Sequence, residues 1–378
     1  MKLSRAAANR PKSGVRKMME LAWGRDDVVH LEVGEPGFPT PAHVRAAAQR
    51  AAEAGHTRYA PTPGLPELKE ALTHKLRTVN QIQVPGSHQV VVSNGGANAL
   101  FAVFGSVLDP GDSILIPDPG WSNFTMMANA FGARPKYYPL TADGGYLPDP
   151  EQIAALIDDS TKAVVLNSPS NPLGSVIPRE LAERLFEVCA EKDVWIISDE
   201  CYDGIDFSGE FVSIGSLEKE PRRVISVFSF SKVYAMTGWR VGYCALPPEV
   251  VDPVLTLLQP SVMCVNTPAQ FAALAAITGP QDYLDEWREQ YRENRDLVLN
   301  KISGSPFTAH APDGGFYVWL STGDSALTSE EFAVKLLADR QVALTPGTAF
   351  GALGEGYVRL SLATSRDLLA EGIDRLLA

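Results

Sequence analysis

The chain has 378 residues, 45% of them hydrophobic and 21% charged, with a net charge of −12. That length favours two domains of ordinary globular composition, and the acidic balance excludes the basic footprint that nucleic acid or an anionic membrane requires. No apolar run reaches the ~18 residues of a simple membrane-crossing helix, so small-molecule chemistry in the cytoplasm is the expectation.

In chain order, the first 17 residues hold six basic residues and no acid, a pattern open to a transit-peptide reading. Residues 28–33 read as a short strand. It feeds the loop Gly34-Glu-Pro-Gly-Phe-Pro-Thr-Pro41, whose proline and glycine density marks irregular backbone. A helix over 42–55 ends at a glycine. The stretch Arg58-Tyr-Ala-Pro-Thr-Pro-Gly-Leu-Pro-Glu-Leu-Lys69 opens another helix, running to about 79, with Tyr59 reading as a packed loop aromatic.

Residues 89–93 form a valine-rich strand of the kind buried on both faces, followed by Asn94-Gly-Gly-Ala97 and a helix over 98–107. Strand, glycines and helix in that order make an anion site, because amides at a helix start point at a phosphate and Gly95 and Gly96 present no Cβ to obstruct it. A plain tight turn explains two glycines as well. A strand over 113–117 ends in Asp118-Pro-Gly-Trp121, where Trp121 reads as a half-buried loop tryptophan and the Asp118–Pro119 bond is a candidate for the cis form.

A short helix over 150–159 and a buried strand over 161–166 lead into Asn167-Ser-Pro-Ser-Asn-Pro-Leu-Gly174, an Asn-Pro turn at Asn171. An amphipathic helix over 178–192 precedes the apolar strand 194–198, with Asp199 at its C-terminal end, where open α/β sheets bind ligands. A carboxylate there needs a positive partner if buried, or it caps the following turn. Residues 223–228 alternate apolar and polar types and read as a strand.

Ser229, Ser231 and Lys232 follow, with Arg240 a little further on. A lysine beside hydroxyls and a guanidinium suits imine formation with an aldehyde whose phosphate the Ser and Arg hold, which describes pyridoxal phosphate. Helices over 249–258, 268–278 and 282–301 come next, the last heavily charged and reading as the link between domains. A turn and strand over 312–319, a helix over 329–340 and a strand over 342–345 make a smaller α+β unit. Within its last strand Arg359 stands among apolar neighbours, so it needs an anion or a buried salt bridge. The cysteines, Cys189, Cys201, Cys244 and Cys264, lack Cys-x-x-Cys spacing and read as free thiols in a reducing compartment. The six histidines are scattered singly, so no metal site is suggested.

The run Ser229-Phe-Ser-Lys-Val-Tyr-Ala-Met-Thr-Gly-Trp-Arg-Val-Gly242 resembles the cofactor-lysine segment of the class I/II aminotransferases, pyridoxal-phosphate enzymes of fold type I in the aspartate aminotransferase superfamily. Other segments match the same family in order, from about residue 13 to 362, including the 13–22 arm, the Gly34 loop and the Asn171 loop. The resemblance implies an α/β fold with a large domain (31–285) holding a mostly parallel, seven-stranded-type sheet flanked by helices. It adds a smaller α+β domain from both termini (1–30 and 286–378).

By that resemblance Lys232 bonds to the cofactor, Ser229 and Arg240 hold its phosphate with the amides around Gly95, Gly96 and Ala97, and Trp121 stacks on the ring. Asp199 pairs with the ring nitrogen, Asn171 and Tyr202 bond its phenolic oxygen, Gly34 lies near the substrate carboxylate, and Arg359 forks onto that carboxylate. Tyr59 crosses a homodimer interface to the neighbouring subunit's phosphate. Ala97, Asn98 and Leu173 stand where many relatives carry Lys, Gln and Thr. The implied reaction is amino transfer from an L-amino acid to a 2-oxo acid such as 2-oxoglutarate or pyruvate, by ping-pong kinetics with Lys232 moving the α-proton. A lyase, decarboxylase or racemase on the same fold, or a non-catalytic cofactor sensor, are the rival readings.

Overall fold

The computed structural model describes residues 14–378. The basic run at the start of the chain lies outside the described residues up to residue 13, and its last four residues open the helix Gly14–Ala22. The strands, in chain order, are β1 (Val29–His30), β2 (Val90–Ser93), β3 (Ser113–Asp118), β4 (Arg134–Pro139), β5 (Thr161–Asn167) and β6 (Trp195–Asp199). They continue with β7 (Val224–Ser229), β8 (Gly242–Ala245), β9 (Tyr317–Ser321), β10 (Val342–Ala343), β11 (Thr345–Pro346) and β12 (Tyr357–Ser361).

Seven strands form one sheet in the order β2-β8-β7-β6-β5-β3-β4, in which β8 alone runs antiparallel. Its central strands are buried on both faces, and the alternation of their side chains divides the core. Ile114, Ile116, Ala163, Val165, Ile197 and Ile225 face the helices Gly96–Val107 and Pro248–Val262. Leu115, Val164, Leu166 and Ile196 face the opposite way, toward Leu185 and Cys189 of the helix Arg179–Glu191. Parallel strands end on one edge of a sheet, so Ser93, Asp118, Asn167, Asp199 and Ser229 are gathered there.

A second sheet, β11-β12-β9, is antiparallel, and β1 pairs with β10 in parallel, which joins the first described strand to the C-terminal region. Several expectations change. The strand expected to alternate over 223–228 is β7, buried along its whole length because the sheet is covered on both sides. The helix expected from Asn98 begins at Gly96, so the glycine pair caps and opens it instead of preceding it. The strand expected over 28–33 shortens to two residues. The edge strand β4, and the helices Asn123–Ala130 and Arg366–Leu377, were not anticipated. Asp118–Pro119 is cis, as are Ser168–Pro169 and Asn171–Pro172.

The four cysteines are free; Cys189 and Cys244 are buried. Among the described residues no helix is long and apolar enough to cross a membrane.

Candidate active site

At the edge where the parallel strands end lies a cavity of ≈ 380 Å³. Of the residues expected to act, Gly34, Gly96, Ala97, Trp121, Asn171, Asp199, Tyr202, Ser229, Lys232, Arg240 and Arg359 line it. Gly95 sits behind this wall. Its φ of 81° lies in the left-handed region, and a Cβ there would collide with the Arg240 guanidinium. Gly96 is as tightly placed, since a Cβ would stand 2.8 Å from Cys201 Sγ. The amides of Gly96 and Ala97 belong to the first helical turn and have no acceptor within the helix, so they are free for an anion.

The other side of that anion pocket is built from the turn after β7. Ser229 caps the short helix Phe230–Val233 by accepting from Ser231 N at 3.1 Å. Arg240, with φ of 53°, donates through Nη1 to Thr237 O at 2.8 Å and to Ser231 Oγ at 3.4 Å. Backbone geometry thus turns the guanidinium toward the glycines.

Lys232, on the same short helix, donates from Nζ to the carbonyl of Gly34. The Gly34 loop is also tied down by a hydrogen bond from Thr237 Oγ1 to Glu35 Oε1. Asp199 is 4% exposed, and the hydrogen bond it accepts comes from Cys201 N at 3.2 Å. Burial raises its pKa; the Cys201 thiol and amide and the Lys232 ammonium pull the other way. Among the described residues no cation forms an ion pair with it, which suits a carboxyl awaiting a protonated ring nitrogen. Trp121 supplies an aromatic wall, packed edge-to-face on Phe124 at 5.5 Å.

Arg359 lies opposite, on β12, and is 3% exposed. Nη1 donates to Asn171 Oδ1 at 2.9 Å and Nη2 to Glu32 O at 2.8 Å, while Nε is buried without a partner. Its carbon sits 4.1 Å from the ring centre of Tyr317 and 4.8 Å from that of Phe350. Among the described residues it makes no salt bridge, so the buried ion-pair reading falls away and a guanidinium with free donors faces the cavity. Asn171 is held by its own amide, which donates to Asn167 Oδ1 at 2.8 Å. Because its oxygen takes the Arg359 bond, its NH₂ is left for an occupant.

Tyr202 OH lies 3.0 Å from Tyr317 OH, and burial followed by the Tyr317 contact keeps the Tyr202 phenol well above its usual range. Tyr317 was missed because a tyrosine inside an apolar strand reads as core. Asn167 and the carbonyl of Glu32 were missed too, since each acts through a neighbour. Tyr59 is not part of this cavity; it is 84% exposed on the isolated chain.

These features fit pyridoxal phosphate: an anion cradle of free amides, hydroxyls and a guanidinium, an amine within the same cavity, and a buried carboxyl lacking a cation. Comparison with known proteins agrees. The family described as aminotransferase class I and II matches residues 26–376. An aspartate/prephenate aminotransferase of Thermus thermophilus is 38% identical over 98% of this chain and 96% of its own length. An aspartate aminotransferase of Pyrococcus abyssi is 34% identical over 96% and 94%. Among solved structures, the aspartate aminotransferase from Thermus thermophilus with maleate superposes with a TM-score of 0.94 at 38% identity, covering 99% and 98% of the two chains. An alanine aminotransferase from Pyrococcus furiosus gives 0.93 at 32%, again over 99% and 98%.

Proposed function

The chain belongs to the class I and II aminotransferases, which are pyridoxal-phosphate-dependent, and from that premise we propose how its own residues share the work. The observation that carries the reading is that Lys232, Asp199 and an unpaired Arg359 line one cavity. Bound pyridoxal phosphate supplies an aldehyde that captures amines covalently and a ring that draws electrons from the substrate Cα.

The amides of Gly96 and Ala97, with Ser229 and Arg240, hold the phosphate; Gly95 lets Arg240 approach. Asp199 keeps a proton on the ring nitrogen, and Trp121 limits tilting of the ring. Asn171 NH₂ and Tyr202 OH bind the phenolic oxygen. Arg359 receives the substrate α-carboxylate, beside the Gly34 backbone. Lys232 Nζ is the amine that would bond the aldehyde and, as a free amine, would take the substrate α-proton. The amino group waits on the enzyme between two half-reactions, so ping-pong kinetics follow.

The acceptor is 2-oxoglutarate or pyruvate. The Thermus relative is named for aspartate and prephenate, which makes aspartate the first donor to try here and prephenate, itself a 2-oxo acid, a further acceptor. Tyr59, so exposed on one chain, is lent across a homodimer to the neighbouring phosphate. The large domain spans 31–285, and the small one takes 1–30 and 286–378. The setting is cytoplasmic.

A panel of amino donors against both acceptors, with the new amino acid quantified, tests the reading. Stoichiometric transfer supports it; loss of CO₂, elimination or racemisation without transfer refutes it.

A further inference from the structure

Tyr317 is 1% exposed, yet it borders the cavity and touches both Tyr202 and Arg359. Its hydroxyl meets Tyr202 OH at 3.0 Å, and its ring face lies 4.1 Å under the Arg359 guanidinium. Its position is set by backbone pairing: β9 and β12 align Tyr317 with Ser361 and Trp319 with Arg359, so Tyr317 is the diagonal neighbour of Arg359 on one face of the sheet. A tilted contact with Phe316 and an edge contact with Tyr202, at 4.8 and 5.9 Å between ring centres, fix its orientation.

The two hydroxyls own two protons and share one hydrogen bond, so one proton is left for whatever fills the cavity. On the Tyr317 side the hydroxyl packs against Gly34 so closely that a Cβ there would overlap it. Among the described residues Tyr202 OH is the acceptor in reach of Tyr317. Either hydroxyl can donate to the other; with Tyr317 as the donor, Tyr202 turns its own proton inward. A phenol that accepts one hydrogen bond becomes a stronger donor in the next.

We propose that Tyr317 is a positioning residue that orients two partners at once: Tyr202, through its hydroxyl, as donor to the cofactor's phenolic oxygen, and Arg359, through its ring face, for the substrate carboxylate. This rests on the roles given above to Tyr202 and Arg359. The two functions reside in different atoms of one side chain, so substitutions separate them. Tyr317→Phe keeps the ring and loses the hydroxyl; Tyr317→Leu loses both.

The test uses holoenzyme and two readouts, the pH titration of the bound cofactor's visible band and the donor KM in the first half-reaction. With its inner donor gone, Tyr202 gives less to the phenolic oxygen. More negative charge stays there, and the neighbouring lysine-bound nitrogen keeps its proton to higher pH. For Tyr317→Phe the titration midpoint is expected to rise by about half a unit, with KM within about twofold of the parent because the cation–π contact remains. Tyr317→Leu is expected to show the same rise and a KM about tenfold higher, which the Phe variant rescues.

Tyr202→Phe is the reference. If it moves the midpoint and Tyr317→Phe does not, the proposal is overturned while the Tyr202 assignment stands. If neither moves it, the Tyr202 assignment has failed and takes the proposal with it. A parent-like KM in Tyr317→Leu overturns the Arg359 half. The near-isosteric Phe variant tests the hydroxyl even if the Leu variant does not fold.

Discussion

Replacing Arg359 is the most direct test of how the cavity reads a substrate. The guanidinium spends one donor on Asn171 Oδ1 and one on Glu32 O, which leaves three of its five N–H groups, including the buried Nε, for a ligand. Two parallel charge-assisted bonds to a carboxylate are each worth roughly 2 kcal/mol. Arg359→Lys keeps the charge but not the fork, so it should lose about one bond and lower kcat/KM by roughly 30-fold. Arg359→Ala loses about 4 kcal/mol, or roughly 1000-fold. The assay is the first half-reaction, followed through the cofactor band, with an amino acid and with the amine that lacks its α-carboxyl. The amine should react at nearly the same rate with parent and variants. If Arg359→Ala slows the amine as much as the amino acid, Arg359 serves to brace Asn171 and Tyr317, and the carboxylate assignment is wrong.

Lys232→Ala should abolish turnover and the visible band of bound cofactor; retained transfer activity in a spectrophotometric assay would contradict the assignment of the nucleophile. Tyr59→Phe should raise the cofactor dissociation constant by about tenfold, the value of one hydrogen bond to a charged phosphate, and sedimentation of the parent should give a dimer mass; a fully active monomer would contradict the shared site. Glu200, buried beside Asp203, has its pKa pushed up to about 7 from 4.5, chiefly by burial; nearby hydroxyls of Ser213, Ser198 and Ser226 oppose the shift. Between those values the folded state keeps a proton that the unfolded chain has released, so stability falls as pH rises through this window and levels off above it. Glu200→Gln should remove that decline, up to roughly 3 kcal/mol; urea midpoints at pH 5 and pH 8 that change equally in both proteins would dismiss the effect.

The phosphate end was legible in the sequence because its parts are contiguous: glycines after a strand, and serine, lysine and arginine within one short run. Asp199 was legible because a carboxylate ending an apolar strand is costly without a partner. Tyr317 was not, since its role depends on the register between β9 and β12, which no local pattern encodes. β4 was hidden for another reason. Its residues, Arg134-Pro-Lys-Tyr-Tyr-Pro139, are polar and proline-flanked, as suits the open edge of a sheet. For Arg359 the sequence supplied the need for an anion, and the structure removed the salt-bridge alternative.

The pairing of β1 with β10 carries a temporal consequence. Glu32, whose carbonyl steadies Arg359, also accepts from Thr345 Oγ1, 313 residues away in the chain. At translation rates of roughly 5–20 residues per second, the early strand waits about 15–60 s for its mate to be made. A ribosome-bound chain therefore has its own phosphate-holding residues in hand well before it can recognise an amino acid, and the Glu32 carbonyl must wait for Thr345 and Arg359 until about the last tenth of the polypeptide emerges.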